Sequence, residues 1–441
     1  MESSRNSDSN LDGITILRFT HAFDSGGGVE LYLRDLNNTL LNRNNMTILQ
    51  VHFSNGVLKP KETIHEKGRG KLVHIAIPPA IHPSLEWRGT APMTNSFIKM
   101  SKKLIRDHIL YNPGLKYLFM PFKKHYRKKA LGIETRDARR LFNDLLSRYS
   151  INLISLHCLG GADTAELIEM ATSGGIPFFY LNHYSNDKLS DLCIREQLTL
   201  ANAVAGVSAI GVPGYLQKRY ISLYDGINTD FYNRENVVLT SAYPDEPILL
   251  LPARICSGKG HEDLIEAAAR LKKEGVAAHI VFAGRNDSPE ITARLQEKIK
   301  KHGLQEKITF AGQCKTEKLR EWYARSAVVV LPSRSEGFAR VLLEAQAMKT
   351  PVVAYDVGGI SQCVIHGESG YLCKYKDLNN FTTVLKKLLR SEPLRRGMGE
   401  AGRKFVAEKF TLDHLACRHE KFYLSIIKNC FSNTQCDSLV K

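Results

Sequence analysis

The chain has 441 residues, 61 of them Lys or Arg and 45 Asp or Glu, for a formal charge of +16. With 43% hydrophobic and 24% charged residues it can bury a substantial core, which excludes wholesale disorder, and its length predicts two or three domains. No apolar run approaches the roughly 18 residues needed to cross a bilayer, and the polar start MESSRNSDSN is unlike a secretory signal, so a cytoplasmic location is expected. Nine cysteines, an odd number without Cys-x-x-Cys spacing, read as reduced and mostly buried thiols, which argues against a disulfide framework or a zinc site.

In chain order, short β-rich runs alternate with helical stretches. GITILRF, MTILQVHF, INLISLHC, IPFFYLNH and AVAGVS form a first series; ILLLPAR, HIVFAG, ITFAG, AVVVLPS and PVVAYD form a second. Nearly continuous apolar strands between amphipathic helices predict parallel sheets covered on both faces, an α/β doubly wound architecture. The rhythm pauses at NVVLTSAYPDEP, whose prolines and small polar residues place a linker at 231–247. Residues 1–230 then form an N-terminal domain and 248–408 a C-terminal one. A last helix, predicted from about Thr411 to Lys428, lies within a terminal segment 409–441.

Residues 78–133 interrupt the first series and are too long for an ordinary connection. Between Lys99 and Arg140 there are 13 Lys and Arg against three acids, so +10 of the +16 lies there. Three readings compete: a solvated charged face, a membrane surface and a nucleic-acid surface. Phe97, Ile98, Leu118, Phe119, Met120 and Phe122 interleave with the lysines, which favours contact with an anionic membrane through residues 97–129. No nucleic-acid-binding module is visible, and no nucleic acid is expected as a partner.

The segment LPSRSEGFARVLLEAQAMKTPVVAYDVGG, residues 331–359, carries the most chemistry. A strand ending near Pro332, a loop with Glu336 and Gly337, and a helix over Phe338–Met348 would leave free N–H groups where an anion can sit. Glu336 and Glu344 lie eight residues apart, about 12 Å along a helix, the length of a nucleotide sugar. Glu336 would hold sugar hydroxyls and Glu344 a ribose diol. Taken alone, both read more readily as a loop glutamate and an ordinary helix-face glutamate. PARICSGKGHEDL adds Arg254 at a strand end and Lys259 before Gly260, two cations able to neutralise a diphosphate leaving group. SGGGVE offers Gly27 and Gly28 for close backbone approach, and His157 and His183 end strands where side chains face a ligand crevice.

In this order the segments resemble glycosyltransferase family 4, retaining enzymes of the glycosyl transferases group 1 type. Gly27 to Glu30, VSAI, DGINTDF, Arg254 with Lys259 and Gly260, Glu336 to Glu344, and PVVAYDVGGISQCVIHGESGYL carry the resemblance, which is strongest over about 203–405. It implies the GT-B fold: two Rossmann-like domains facing a central cleft, with the C-terminal helix crossing back to the N-terminal domain. It also implies transfer of a sugar, with retained configuration and without a metal or cofactor, from a nucleotide-diphosphate donor to a glycan or lipid-linked acceptor in cell-surface polysaccharide or lipopolysaccharide-type synthesis. The enzyme would lie on the inner face of the membrane. By the resemblance Arg254, Lys259, Glu336 and His183 are catalytic, and Gly27, Gly28, Gly337, Phe338, Ala339, Glu344 and His157 bind the donor. An epimerase or phosphorylase on the same fold and an inactive binding relative are the alternatives. The chain departs from the family pattern at Asp225 and Asn228, where Asn and Asp are usual, and at Ala253 and Ala339, where glycine is common.

Overall fold

The computed structural model describes residues 11–437 apart from 23–27, 54–59, 78–133, 158, 160–161, 185, 187–188, 190–191 and 240–243. The basic insert and Gly27 therefore lie outside the described residues.

The first sheet has eight strands: β1 Thr15–Ala22, β2 Thr47–Phe53, β3 Lys61–Lys67, β4 Gly70–Ile77, β5 Leu153–Leu156, β6 Phe178–Asn182, β7 Ala203–Gly206 and β8 Tyr220–Ser222. Their order is β3-β4-β2-β1-β5-β6-β7-β8, parallel throughout except for the β3–β4 hairpin. Helices α1 Gly28–Arg43, α2 Glu134–Arg148, α3 Ala162–Ser173 and α4 Leu192–Leu200 belong to it. The second sheet contains β9 Ile248–Leu251, β10 His279–Ala283, β11 Ile308–Gly312, β12 Ser326–Leu331, β13 Val352–Tyr355 and β14 Gly370–Cys373, all parallel, in the order β11-β10-β9-β12-β13-β14. Around it lie α5 His261–Lys273, α6 Pro289–Lys301, α7 Thr316–Arg325, α8 Arg340–Ala347, α9 Leu378–Arg390 and α10 Glu392–Lys409.

Local chemistry sets the element ends. Ser288 caps α6 by accepting from Ile291 N, with Pro289 at the first helical position, where a missing N–H costs nothing. In α9 Phe381, Leu385, Leu388 and Leu389 form the buried stripe expected of a helix covering a sheet, and Asp377 caps it. Burial continues on the sheet's other face around Leu250, Val329, Tyr323 and Leu342, so the second domain has two cores.

The last helix, α11, runs over Leu412–Asp437, longer than the sequence suggests. Its Leu415, Phe422, Tyr423 and Ile426 pack in one core with Ile16, Leu33, Ile48 and Phe179 of the first domain. Arg43 of α1 donates to both oxygens of buried Glu420, at 2.9 and 3.0 Å. The chain's two passages between the domains touch: Ile227 pairs with Thr411, and a Cβ on Gly226 would lie 2.6 Å from the Thr411 carbonyl oxygen. Of Cys256, Cys314, Cys363, Cys373, Cys417 and Cys430, two, Cys363 and Cys373, are buried and the others partly exposed, fewer buried than expected.

Candidate functional site

The strand order reverses between β1 and β5 in one sheet and between β9 and β12 in the other, and a ligand crevice opens beyond the carboxyl ends of strands at such points. The turn after β9 carries Arg254 and Lys259; the loop after β12 carries Glu336 to Ala339. Gly260 has φ +77°, and a Cβ there would lie 2.0 Å from the Pro332 carbonyl oxygen, so only glycine lets the two segments touch. Arg334 N seals the contact by donating to Gly258 O at 2.7 Å. The result is an ion pair between Lys259 Nζ and Glu336 Oε1 at 2.6 Å, with side chains 23% and 14% exposed. Arg254 is not part of it: its guanidinium is 58% exposed and donates to Asp287 Oδ2 at 2.8 Å.

The helix expected from Phe338 begins later. Helix α8 starts at Arg340, with Ala339 at its cap, φ −100° and ψ 76°, and no side-chain capping bond. A negative φ suits alanine, so replacing the family's usual glycine adds no backbone strain there. Phe338 packs between Tyr224 and Phe410, with ring centroids at 6.2 and 5.9 Å.

Two glycines that the sequence reading did not assign shape this loop. Gly359 N donates to Glu336 O at 3.2 Å, and Cβ atoms on Gly358 and Gly359 would lie 1.9 Å from Glu336 O and 2.1 Å from Gly337 O. Their turn after β13 therefore clamps the Glu336–Gly337 backbone. Gly337 in turn presses on the first domain: a Cβ there would lie 2.8 Å from His183 O and from Tyr184 C. The loop bearing Glu336 thus meets the strand end bearing His183.

Glu344 is placed differently from the expected open carboxylate. It is buried, its Oε2 accepts from the Tyr323 hydroxyl at 2.8 Å, and its Oε1 accepts from Arg340 Nε at 3.1 Å. Burial raises its pKa, partly offset by Arg340. Arg340, missed in the sequence, also donates through Nη1 to Asp225 Oδ1 at 3.2 Å and through Nη2 to Asp35 of α1. One guanidinium thus holds three carboxylates from three distant segments. Burial pushes Asp225 up to about 6 although Arg340 opposes it. The available signal was an arginine inside the apolar run VLLEA's own helix, together with an acid where the family has Asn.

On the opposite wall His157 Nδ1 and His183 Nε2 are 2.7 Å apart, their rings stacked at 5.0 Å, and Ser155 Oγ lies 2.8 Å from His157 Nε2. Burial, then Arg18, lowers His183 to about 3; burial and His183 lower His157 as well. Both imidazoles are neutral near pH 7. Gly28 is exposed at the start of α1. Among the described residues no three His, Cys, Asp or Glu side chains are grouped as a metal site requires, and no helix is long and apolar enough to cross a membrane.

Residues 235–405 match the family described as Glycosyl transferases group 1. An N-acetyl-alpha-D-glucosaminyl L-malate synthase from Bacillus anthracis is 31% identical over 202 residues, 45% of this chain and 51% of that one. The chain spans about half the length of the curated relatives it matches. A sucrose-phosphate synthase from Thermosynechococcus elongatus superposes with a TM-score of 0.70 at 19% identity over 94% of this chain and 100% of that one. HepE from Anabaena, in complex with UDP and glucose, does so with a TM-score of 0.63 at 15% identity over 93% of this chain and 100% of that one. At these identities the two structures speak to the fold.

Proposed function

We propose that this chain, whose residues 235–405 match the group 1 glycosyltransferases and which has the GT-B fold, transfers a sugar from a nucleotide-diphosphate donor, with retention, to a glycan or lipid-linked acceptor. The observation that carries this reading is the Lys259–Glu336 pair, set against His183 through Gly337. Lys259 lies beside the loop where the diphosphate would sit, and its charge opposes the charge that develops as the diphosphate leaves. Arg254, exposed, exchanges Asp287 for the same phosphates. Glu336 then turns from Lys259 to the sugar hydroxyls. These two cations do the work that a metal does elsewhere, so no metal is required.

Because burial and the Arg18 charge leave His183 with little affinity for a proton, it serves the sugar as a hydrogen-bonding group rather than as a base. The acceptor proton passes to the departing phosphate on the face where the acceptor attacks. Glu344 takes the ribose diol by exchanging Arg340 for it. The anionic membrane contact through residues 97–129 rests on their composition and would bring a lipid-linked acceptor to the N-terminal domain.

Screening thermal shifts with UDP, GDP, ADP and TDP identifies the donor base, and donor breakdown measured with and without acceptor follows. Lys259→Ala and Arg254→Ala are expected to lower turnover far more than donor affinity, because they act on charge present only in the transition state. Turnover equal to that of the unaltered protein in both variants refutes the assignment. Nucleotide release that needs no acceptor would indicate epimerisation instead.

A further inference from the structure

Beneath His157 and His183 the apolar strand β1 carries an arginine with no exposed surface. Arg18 Nη2 donates to the Tyr423 hydroxyl at 3.1 Å, and its guanidinium carbon is 5.9 Å from that ring's centroid. Its Nε and Nη1 have no acceptor among the described residues. Tyr423 OH also meets His419 Nδ1 at 2.7 Å, and His419 Nε2 meets Tyr32 OH at 2.5 Å. The Tyr32 ring stands edge-on to His183, centroids 5.0 Å apart. On its other side His183 is held by His157 and, through it, by Ser155, which is the β5 partner of Arg18 in the sheet register.

We propose that Arg18 and the Tyr423–His419–Tyr32 chain position His183 in the cleft, making the returning helix α11 a working part of the site as well as a tether between domains. This rests on the reading of His183 as a group beside the reacting sugar. An arginine cannot accept a hydrogen bond, so the Tyr423 oxygen accepts from Arg18, which favours turning its own proton toward His419 Nδ1. That arrangement puts the His419 proton on Nε2, directed at the Tyr32 oxygen, and the Tyr32 ring is set against His183. A leucine at position 18 would pack between strand and helix without burying a charge, so the arginine is costly to the fold.

Among the described residues, those set around His183 are Arg18 from β1, Tyr32 from α1, His157 beyond β5 and His419 from α11, with the Glu336–Gly337 loop against its backbone. The buried charge of Arg18 disfavours a second charge on any of the three imidazoles.

The test is nuclear magnetic resonance of the full chain with nitrogen-labelled imidazoles, the His183 signals being assigned by their loss in His183→Asn. Arg18→Met and Tyr423→Phe are compared with the unaltered protein, with folding checked by circular dichroism. In Arg18→Met the His183 titration is expected to move up by about one pH unit or more, and in Tyr423→Phe the His419 tautomer signals are expected to mix. In both, turnover is expected to fall about tenfold or more with donor KM nearly unchanged, the mark of lost positioning. Should Arg18→Met not fold, Tyr423→Phe decides alone. Folded variants with unchanged His183 and His419 signals and unchanged turnover overturn the proposal. If the unaltered protein transfers no sugar, the functional reading fails and the imidazole signals still decide this one.

Discussion

Replacing Asp225 by Asn is expected to stabilise the protein at neutral pH and leave it unchanged in acid. Asp225 is 6% exposed, accepts from Gly226 N at 2.7 Å and from Arg340 Nη1 at 3.2 Å, and is pushed up to about 6 by burial, with Asp35 and Glu344 adding to the rise. An aspartate in the unfolded chain titrates near 3.9, so the difference is about two units, or about 3 kcal/mol at 1.36 kcal/mol per unit. The folded carboxyl holds its proton more tightly than the unfolded one. Stability is therefore greatest below about pH 4, falls as the pH rises through about 6, and above that carries the whole penalty of about 3 kcal/mol. Asn cannot ionise and keeps an oxygen for Gly226 N–H and Arg340, which also retains Asp35 and Glu344. Asp225→Asn should thus gain up to about 3 kcal/mol at pH 7.5, shrinking toward zero near pH 4. Urea denaturation followed by circular dichroism at both pH values reads this directly. A variant less stable at pH 7.5, or shifted equally at both, refutes the account of the buried cluster.

Arg43→Ala removes two of the donors to buried Glu420 and leaves it Asn44 Nδ2 at 2.8 Å. A loss of about 2–3 kcal/mol is expected, below the cost of a fully buried pair because Arg43 is partly exposed, and hydrogen exchange should show α11 loosened first. Gly260→Ala forces a Cβ against the Pro332 carbonyl at φ +77° and should cost at least about 2 kcal/mol, with the Lys259–Glu336 pair lost; denaturation midpoints check it. Glu344→Ala leaves Arg340 Nε and the Tyr323 hydroxyl without their acceptor, a loss of about 1–3 kcal/mol in stability, with weaker nucleotide binding by calorimetry. An unchanged nucleotide Kd would remove Glu344 from ribose recognition.

What was legible in the sequence was whatever local periodicity or a short motif encodes. The ten apolar runs all became strands; apart from the partly buried edge strand β11, they lie inside a sheet, where a strand buried on both faces must be apolar along its length. β3 escaped for the opposite reason: KETIHEK is an antiparallel edge strand whose seven residues are all exposed, so no burial pattern marks it. β4 was also not read, its run GKLVHIAI being broken by Lys71 and His74, and β8 and β14 are short and only partly buried.

Within the site, Lys259 and Glu336 were each readable, but their pairing spans 77 positions and depends on Gly260 passing beneath Pro332, a contact no motif spells out. Arg340 shows the limit most sharply. Its helix position was readable, yet its partners lie 115 and 305 residues away, in the interdomain crossing and in the first domain. The acid at 225 departs from the family pattern, and only folding makes it a partner of Arg340. The same logic applies to Arg18: a lone charge in the run GITILRF breaks the rule for buried strands, and a charge kept where leucine would pack is a reason to look for what lies over it. Here that is the C-terminal helix, 405 residues on.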